Sequence, residues 1–248
     1  GLGTLIVILL AVSFGQLPPW YLLLGLARYF FVIGLWLRRR LGRPIADLPP
    51  SAHRRVFAGF QMGFLSVVLW PIMPQPMAIV AGALFAAATG LGFLRDWLVV
   101  SGALNPDAPG FGRAQSALYR LFGVWLPPLW RLLLVVAMAA VLRAGWPLPP
   151  VAWRELLAGW GVPAAGAVAG LAAALALVGG AMVGLGVLPR LLSVALAVPI
   201  GFDIAARGLR WDNGLALVAT VFIQLLGPGR FALWPAEERF VFRRLGGR

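Results

Sequence analysis

Runs of apolar residues, separated by short proline-rich breaks, constrain this chain more than any other feature. Each run except the first is close to the about 20 residues that cross the hydrocarbon core of a bilayer. Hydrocarbon offers no partner for an unpaired backbone group, so spanning segments of this kind fold as helices. We therefore predict an all-α fold, a polytopic membrane helix bundle of about eight transmembrane segments, the first one truncated, in two packed sub-bundles. The runs are 2–14, 20–37, 56–72, 77–100, 126–142, 162–185, 188–206 and 209–226.

The composition excludes the other broad classes of protein. Hydrophobic residues make up 61% of the 248 residues and charged residues only 12%, whereas a soluble domain is about 45–50% apolar and about 25% charged. A soluble fold could not cover so much apolar surface, and a disordered chain would be less hydrophobic and more charged. The chain has no cysteine and a single histidine, His53, which excludes disulfides, thiolate sites and a histidine metal centre.

All 21 basic residues are arginines, and most of them lie between the apolar runs. Arg190 and Arg210, at the starts of their runs, are counted with the adjacent loops. On this count alternate loops together with the C-terminal tail hold 14 arginines, the opposite loops hold four, and three fall inside runs. The positive-inside rule assigns the richer side to the cytoplasm. We therefore predict an integral protein of the bacterial inner membrane with a cytoplasmic C-terminus, whose arginines meet lipid head groups and not nucleic acid.

Charged residues inside the apolar runs are candidates for function, because ionised groups are costly in hydrocarbon. Arg28 lies in the middle of a run, and we expect it to have a buried partner or to line a water-filled cavity rather than to face lipid. Arg95 and Asp96 lie near the end of another run, where a structural anchor at the interface is the favoured interpretation. Asp203 and Arg207 are four residues apart, which predicts an ion pair on one helix face near the external surface.

The first half of the chain carries motifs of a known family. A Leu-Pro-Pro-Trp sequence at 17–20 precedes an apolar run that contains Arg28 and closes with Leu-Arg-Arg-Arg-Leu-Gly-Arg-Pro at 37–44. This pattern resembles the fourth transmembrane helix of CDP-alcohol phosphatidyltransferases. Gln61 and Met62 match the Lys-Thr-x-x-Gln-Met start of the fifth helix in phosphatidylglycerophosphate synthase-like members, with Phe-Ala in place of Lys-Thr. Gln61 is therefore a further polar residue inside an apolar run that is a candidate for function.

The resemblance covers residues 1–106, which are similar to part of the third helix and to the fourth to sixth helices of that family. It implies a reaction in which an alcohol attacks the β-phosphorus of a CDP-linked lipid and CMP leaves. It also implies divalent ions, Mg or Mn, held by a D-x-x-D-G-x-x-A-R and G-x-x-x-D-x-x-x-D signature, and no such string exists in this chain. We assign no catalytic and no metal-binding residue, and the acceptor stays open between glycerol phosphate, inositol phosphate and serine.

Arginines beside the predicted helix ends are the candidate substrate-binding residues. A guanidinium group donates paired hydrogen bonds that suit phosphate oxygens. We expect Arg54 and Arg55, together with the arginines of 38–43, to bind the acceptor phosphate or lipid head groups. Ordinary positive-inside anchoring is the alternative interpretation of the same residues. The candidate set is Arg38, Arg39, Arg40, Arg43, Arg54 and Arg55.

The second half of the chain resembles another family. Small residues four apart, as at Gly180 and Gly184, favour close helix packing in lipid. The ending 226–234, with a Gly-Pro-Gly turn and then Ala-Leu-Trp, and the helix start at 189–192 are similar to DoxX-like proteins, which are four-helix membrane modules. That resemblance spans about 113–248. The predicted organisation is a transferase-like domain at 1–106, a linker at 107–125 and a DoxX-like domain with a basic cytoplasmic tail at 126–248.

Two functions from different classes fit these residues. In the first, the chain is the C-terminal part of a phospholipid-synthesis enzyme, inactive alone because its metal centre lies upstream of Gly1. In the second, it is a non-enzymatic DoxX-like membrane scaffold or accessory module. A transporter or channel is the weaker third reading, because no chain of polar residues crosses the membrane. The expected partners are membrane lipids and, for the enzyme, the CDP-linked lipid and the alcohol acceptor. A homodimer is also possible.

Overall fold

The computed structural model describes residues 2–48, 52–70, 73–106, 108–143 and 150–238. Over this part of the chain the regular structure is helical, and one isolated β-bridge joins Val187 and Trp234. Each of the eight predicted apolar runs coincides with a helix, so the prediction of an all-α membrane helix bundle is confirmed. The chain divides into two compact units, unit 1 at Gly1–Leu118 and unit 2 at Tyr119–Arg248.

In the described part of unit 1, four helices pack around an aromatic core. Helix α1 contacts α2 and α3, and α4 contacts the same two helices. The rings of Tyr21, Phe64 and Phe85 come together from α2, α3 and α4, and all three side chains are buried. The helices are α1 (Leu2–Ser13), α2 (Tyr21–Arg40), α3 (Ala52–Val67) and α4 (Gln75–Val100).

A continuous helical segment leads into unit 2. It begins with α5 (Pro109–Tyr119), passes through a π-helical turn at Arg120–Trp125 and continues as α6 (Leu126–Arg143). The stretch predicted as a linker is thus helical from Pro109, a residue that is tolerated at the first helical position. The π-helical turn lies just before Pro127 and Pro128, whose missing N–H groups cannot complete the α-helical hydrogen bonds of the preceding turn.

Unit 2 is a ring of four long helices with one short helix beside it. Helices α6, α8, α9 and α10 pack in that order, α10 closes the ring against α6, and α7 packs on α8 and α9. Short connections make α9 antiparallel to α8 and to α10, and Gly186, just after α8, lies against Arg131 near the start of α6. The starts of α6 and α9 therefore lie at the same end of the unit as the ends of α8 and α10. The remaining helices are α7 (Val151–Gly159), α8 (Ala165–Leu185), α9 (Pro189–Arg207) and α10 (Trp211–Leu226).

Glycines on α8 allow its neighbours to approach closely. A Cβ atom at Gly184 would lie 2.7 Å from Val135 of α6, and one at Gly179 would lie 3.3 Å from Leu196 of α9. Gly180 faces Met138 of α6 at 3.7 Å. The small-residue spacing in this helix therefore does what the sequence predicts, which is to bring helix backbones together in lipid.

Within the described residues, five helical segments are long and apolar enough to cross a bilayer, and the chain is an integral membrane protein. Helices α1, α3 and α10 have 12, 16 and 16 residues, which is shorter than the about 20 residues of a full span. The sequence did not predict α7, whose buried residues Trp153 and Leu157 lie one helical turn apart. The five segments are Tyr21–Arg40, Gln75–Val100, Gly110–Arg143, Ala165–Leu185 and Pro189–Arg207.

Candidate functional site

The end of unit 1 where α2 and α4 finish and α3 starts is rich in arginine, and we call it the basic end. Arg38, in the last turn of α2, donates from Nη2 to the carbonyls of Pro44 (2.9 Å) and Ser101 (3.0 Å). The Ala46 amide donates to the Val100 carbonyl. These bonds hold the chain that leaves α2 against the end of α4. The arginines of the basic end are Arg38, Arg39, Arg40, Arg43, Arg54, Arg55 and Arg95.

Asp96 is the one buried carboxylate of this end among the residues that the structure describes. It lies 3.5 Å from Nη1 of Arg54 and 3.6 Å from Nη1 of Arg95. The sequence paired Asp96 with its neighbour Arg95 only, whereas the structure adds Arg54, which comes from another helix. Arg54 therefore fixes α3 against α4 through Asp96, while its side chain stays 35% exposed at the surface.

The other candidate arginines face outward. Arg39, Arg40, Arg43 and Arg55 are exposed, and within the described part of the chain none of the four has a carboxylate within 4.0 Å. Arg40 stacks over the ring of Trp36 at 4.9 Å. Exposed guanidinium groups at a membrane surface are suited to bind phosphate oxygens of head groups or substrates.

Arg28 has an exposed side chain in the middle of α2. No hydrogen bond or ion pair joins it to another described residue, so the described chain offers it no buried partner, and the water-filled cavity stays a prediction. Gly25, less than one turn earlier, is covered by Leu5 and Ile8 of α1.

Gln61 belongs to a buried polar chain that joins three helices of unit 1. Its Nε2 donates to the hydroxyl of Tyr21 at 2.5 Å, and the hydroxyl of Thr89 donates to its Oε1 at 3.4 Å. Gln61 and Tyr21 are both buried. Side-chain hydrogen bonds of this kind connect helices in hydrocarbon, so Gln61 has a structural role in positioning α2, α3 and α4.

The described residues do not fit the divalent ions that the family resemblance implies. Nowhere in the described ranges do three His, Asp or Glu side chains come together as metal ligands would. Asp96 has two guanidinium groups where a cation would stand. The metal centre stays a prediction for residues outside this chain.

At one end of unit 2 lies a buried network around Asp203, which we call the aspartate network. The predicted ion pair with Arg207 is confirmed, with Nε of Arg207 2.7 Å from Oδ1. Asp203 is nevertheless completely buried, and it also accepts bonds from Nε1 of Trp153 (2.9 Å) and Nδ2 of Asn213 (2.8 Å). The spacing predicted the pair, but Trp153 and Asn213 come from α7 and α10 and no local pattern indicates them.

The opposite end of unit 2 buries two arginines under the chain that follows α10. Arg131 of α6 and Arg190 of α9 are 2% and 5% exposed, although the sequence placed Arg190 in a loop. Residues 227–234, which we call the C-terminal strap, pair with the turn between α8 and α9. The amide of Trp234 donates to the Gly186 carbonyl (3.1 Å), and the amide of Leu188 donates to the Trp234 carbonyl (3.1 Å).

Each buried arginine lies against the end of a helix at a glycine. A Cβ atom at Gly186, just after α8, would clash with Nη1 of Arg131, and a Cβ atom at Gly227, just after α10, would lie 2.6 Å from Nη2 of Arg190. Both glycines have a positive φ, as is common where a helix ends. A helix C-terminus carries about half a negative charge, so these positions favour the two cations.

Arg190 has carboxylates beside it. It donates from Nε to Glu238 at 2.5 Å and from Nη1 to the Gln224 carbonyl, while its backbone amide donates to Glu237 at 3.0 Å. Burial raises the pKa of the Glu238 carboxyl above its ordinary value of 4.5, and the nearby Arg190 offsets only part of that rise. The start of α9 and the residues after the strap are thereby joined.

Comparison with protein-family models, with curated proteins and with solved structures found no match to this chain.

Proposed function

We propose that unit 1 is the membrane-embedded C-terminal part of an enzyme that transfers a phosphatidyl group from a CDP-linked lipid to an alcohol acceptor and releases CMP. The basic end carries this proposal, since seven arginines lie there and only two of them are paired with Asp96, its one buried carboxylate among the described residues. Both substrates of such a reaction carry phosphate, and guanidinium groups bind phosphate through paired hydrogen bonds. The metal-binding Asp signature is not in this chain, so the chain alone is inactive.

The arginines of the basic end divide into two roles under this proposal. Arg38 and Arg54 bond to described groups of their own unit and shape the surface. Arg55 and the exposed arginines of 39–43 are the groups that meet the acceptor phosphate or the lipid head group. Their positive field also attracts anionic lipid and substrate to the membrane surface.

The positive-inside rule places the basic end and the C-terminal tail on the cytoplasmic side under this proposal. The membrane is then the inner membrane of a bacterium, where nucleotide-linked lipids meet cytoplasmic acceptors.

The test begins with the reading frame upstream of Gly1. The complete protein in membranes, supplied with Mg or Mn and a CDP-linked diacylglycerol, should release CMP only when glycerol phosphate, inositol phosphate or serine is added. An upstream Asp signature together with acceptor-dependent CMP release would support the enzyme. Absence of CMP release with every acceptor would overturn it.

Arg55→Ala separates phosphate binding from folding. Arg55 is exposed, whereas Arg54→Ala would also remove a partner of the buried Asp96. In the complete protein we expect Arg55→Ala to raise KM for a phosphate-bearing acceptor about tenfold, the value of one charge-assisted hydrogen bond. Arg113→Ala is the matched control, since Arg113 is an exposed arginine on α5. An equal KM in the two variants would remove Arg55 from the site.

Unit 2 favours a second, non-enzymatic role as a DoxX-like scaffold or accessory module. Asp203, its fully buried carboxylate, is saturated by donors from Trp153, Arg207 and Asn213. A carboxylate in this state holds helices together and is not available to react. If the reading frame upstream of Gly1 encodes no Asp cluster, the scaffold or accessory role is the function that remains for the whole chain.

A further inference from the structure

Arg131 is a buried cation without a full set of partners. Its side chain is 2% exposed. Its one hydrogen bond within the described residues joins Nη1 to the Phe231 carbonyl at 3.4 Å, beyond the about 2.7–3.2 Å of a good N–H···O bond. Its Nε is buried and has no partner among the same residues. Most of the donors of this guanidinium group are therefore unused.

Unit 2 offers no carboxylate side chain to Arg131. Its five acidic residues are all described, because the undescribed stretches 144–149 and 239–248 contain no Asp or Glu. None of the five lies within 4.0 Å of Arg131. Two of them belong to the aspartate network at the opposite end, two bond to Arg190, and the last is exposed on α7. They are Asp203, Asp212, Glu237, Glu238 and Glu155.

A buried charge without a counter-charge is strongly unfavourable. The C-terminus of α8 supplies only about half a negative charge next to Arg131. The tail beyond the described residues adds further positive charge, since 239–248 holds four arginines. The counter-charge must therefore come from outside the side chains of unit 2.

Exposed aromatic side chains mark the depth of Arg131 in the membrane. The rings of Trp125 and Phe231 lie 6.3 Å apart, and both side chains are exposed, as is that of Trp234 in the strap. Aromatic residues of this kind concentrate at the level of the lipid head groups. Arg131 contacts the strap at Phe231, so its guanidinium lies at the same level, where lipid phosphates are the most abundant anions.

We propose that Arg131 binds a phosphate group beneath the C-terminal strap, carried by an anionic phospholipid or present as free phosphate. The planar guanidinium group can donate its unused Nε–H and Nη2–H groups to two phosphate oxygens in parallel. Arg190 is not part of this site, since it is joined to Glu238 and Gln224. The proposal concerns unit 2 and does not depend on the transferase function of unit 1.

The test uses the purified chain in a neutral detergent, with lipid binding counted by native mass spectrometry. Phosphatidylglycerol, phosphatidylcholine and inorganic phosphate are the three probes. We expect Arg131→Gln to lower the affinity for phosphatidylglycerol about tenfold or more. Arg143→Gln, which removes an exposed arginine at the other end of the same helix, should leave the affinity unchanged. Inorganic phosphate that displaces the lipid in an Arg131-dependent way identifies free phosphate as an occupant, and lipid binding without such displacement identifies the head group.

Arg131→Lys replaces Arg131→Gln if the latter does not fold, because the ammonium group keeps the charge but cannot donate the paired bonds. It should also lose affinity relative to the wild type. Three results would overturn the proposal: an unchanged affinity in whichever of the two variants folds, an equal loss in Arg143→Gln, or a wild-type chain that binds neither phosphatidylglycerol nor phosphate.

Discussion

The indole Nε1 of Trp153 donates a 2.9 Å hydrogen bond to the carboxylate of Asp203, which has no exposed surface. This bond ties the short helix α7 to α9. Because a buried carboxylate must be satisfied by donors, the aspartate network explains why a nine-residue helix that is too short to be stable alone has a fixed position in unit 2.

Trp153→Phe should lower the stability of the protein more than the same change at Trp160. Phenylalanine keeps most of the ring but leaves Asp203 with one donor fewer, at a cost of about 1–3 kcal/mol in the free energy of unfolding. Trp160 ends the same helix, is exposed and has no carboxylate partner in the described chain. Thermal unfolding in detergent gives the melting temperatures of the Trp153→Phe and Trp160→Phe variants. Equal melting temperatures would contradict the role of the indole donor.

Asp203→Asn should be more damaging than Asp212→Asn. The first change leaves Arg207 without its close partner in a buried site, which costs about 3–5 kcal/mol. Asp212 is also buried, but its ion contacts are longer, 3.8 Å to Arg207 and 3.7 Å to Arg210, and asparagine keeps the Oδ1 that accepts the Asn213 amide. Its loss should therefore cost less than that of Asp203, about 1–2 kcal/mol. Chemical denaturation of the two variants gives the comparison, and the reverse order would mean that Asp203 is not the centre of the network.

Gly186→Ala should disrupt unit 2, whereas Gly161→Ala should be tolerated. The two glycines follow α8 and α7 with φ of +75° and +72°, so both substitutions carry the left-handed penalty of about 1–2 kcal/mol. A Cβ atom at Gly186 would also lie 2.5 Å from the Cα of Ala232 in the strap, while Gly161 has open space around it. The difference between the two melting temperatures measures the effect of the close contact between the strap, the turn after α8 and Arg131. Equal melting temperatures would show that the strap is loosely held.

Eight of the described helices could be predicted from the sequence, because hydrocarbon requires helices and each of the eight coincides with an apolar run. Helices α5 and α7 escaped prediction because they are short, of mixed polarity and flanked by prolines. Helix α7 is held by packing and by Asp203, and neither is visible in a local pattern. The burial of Arg190 was not predicted for a similar reason. Pro189 indicates a break between helices, and Arg190 is covered only because the C-terminal strap returns to the turn between α8 and α9.

The candidate site shows the same limit. Arginines at the ends of α2 and α3 follow directly from the sequence. The contact of Arg54 with Asp96 joins two helices that are distant in sequence, and a single sequence holds no signal for it. Arg28 shows the converse, because its central place in a run predicted a buried partner or a water-filled cavity, whereas its side chain is exposed.

Glu238→Gln should flatten the dependence of stability on pH. A carboxyl whose folded pKa is raised contributes its stability fully below its ordinary pKa of 4.5, and that contribution is lost as the pH rises through the higher folded value. Wild-type melting temperature should therefore fall as the pH rises above 4.5 through the raised pKa, and the glutamine variant should lack this slope. Glu155→Gln, at an exposed position on α7, is the control and should keep the slope.

Tyr21→Phe should weaken the packing of α2 against α3, whereas Tyr29→Phe should not. The first change removes the hydroxyl that accepts the hydrogen bond from Gln61 and leaves that amide without its short contact in a buried site. Interhelical hydrogen bonds in membranes contribute about 1 kcal/mol, so a loss of that size is expected. Tyr29 is on the same helix and is exposed. The free energies of unfolding in detergent compare the two variants.

A double variant, Tyr21→Phe with Gln61→Leu, should recover part of the lost stability, because it removes both polar groups together. A double variant less stable than Tyr21→Phe alone would show that Gln61 contributes through Thr89 instead.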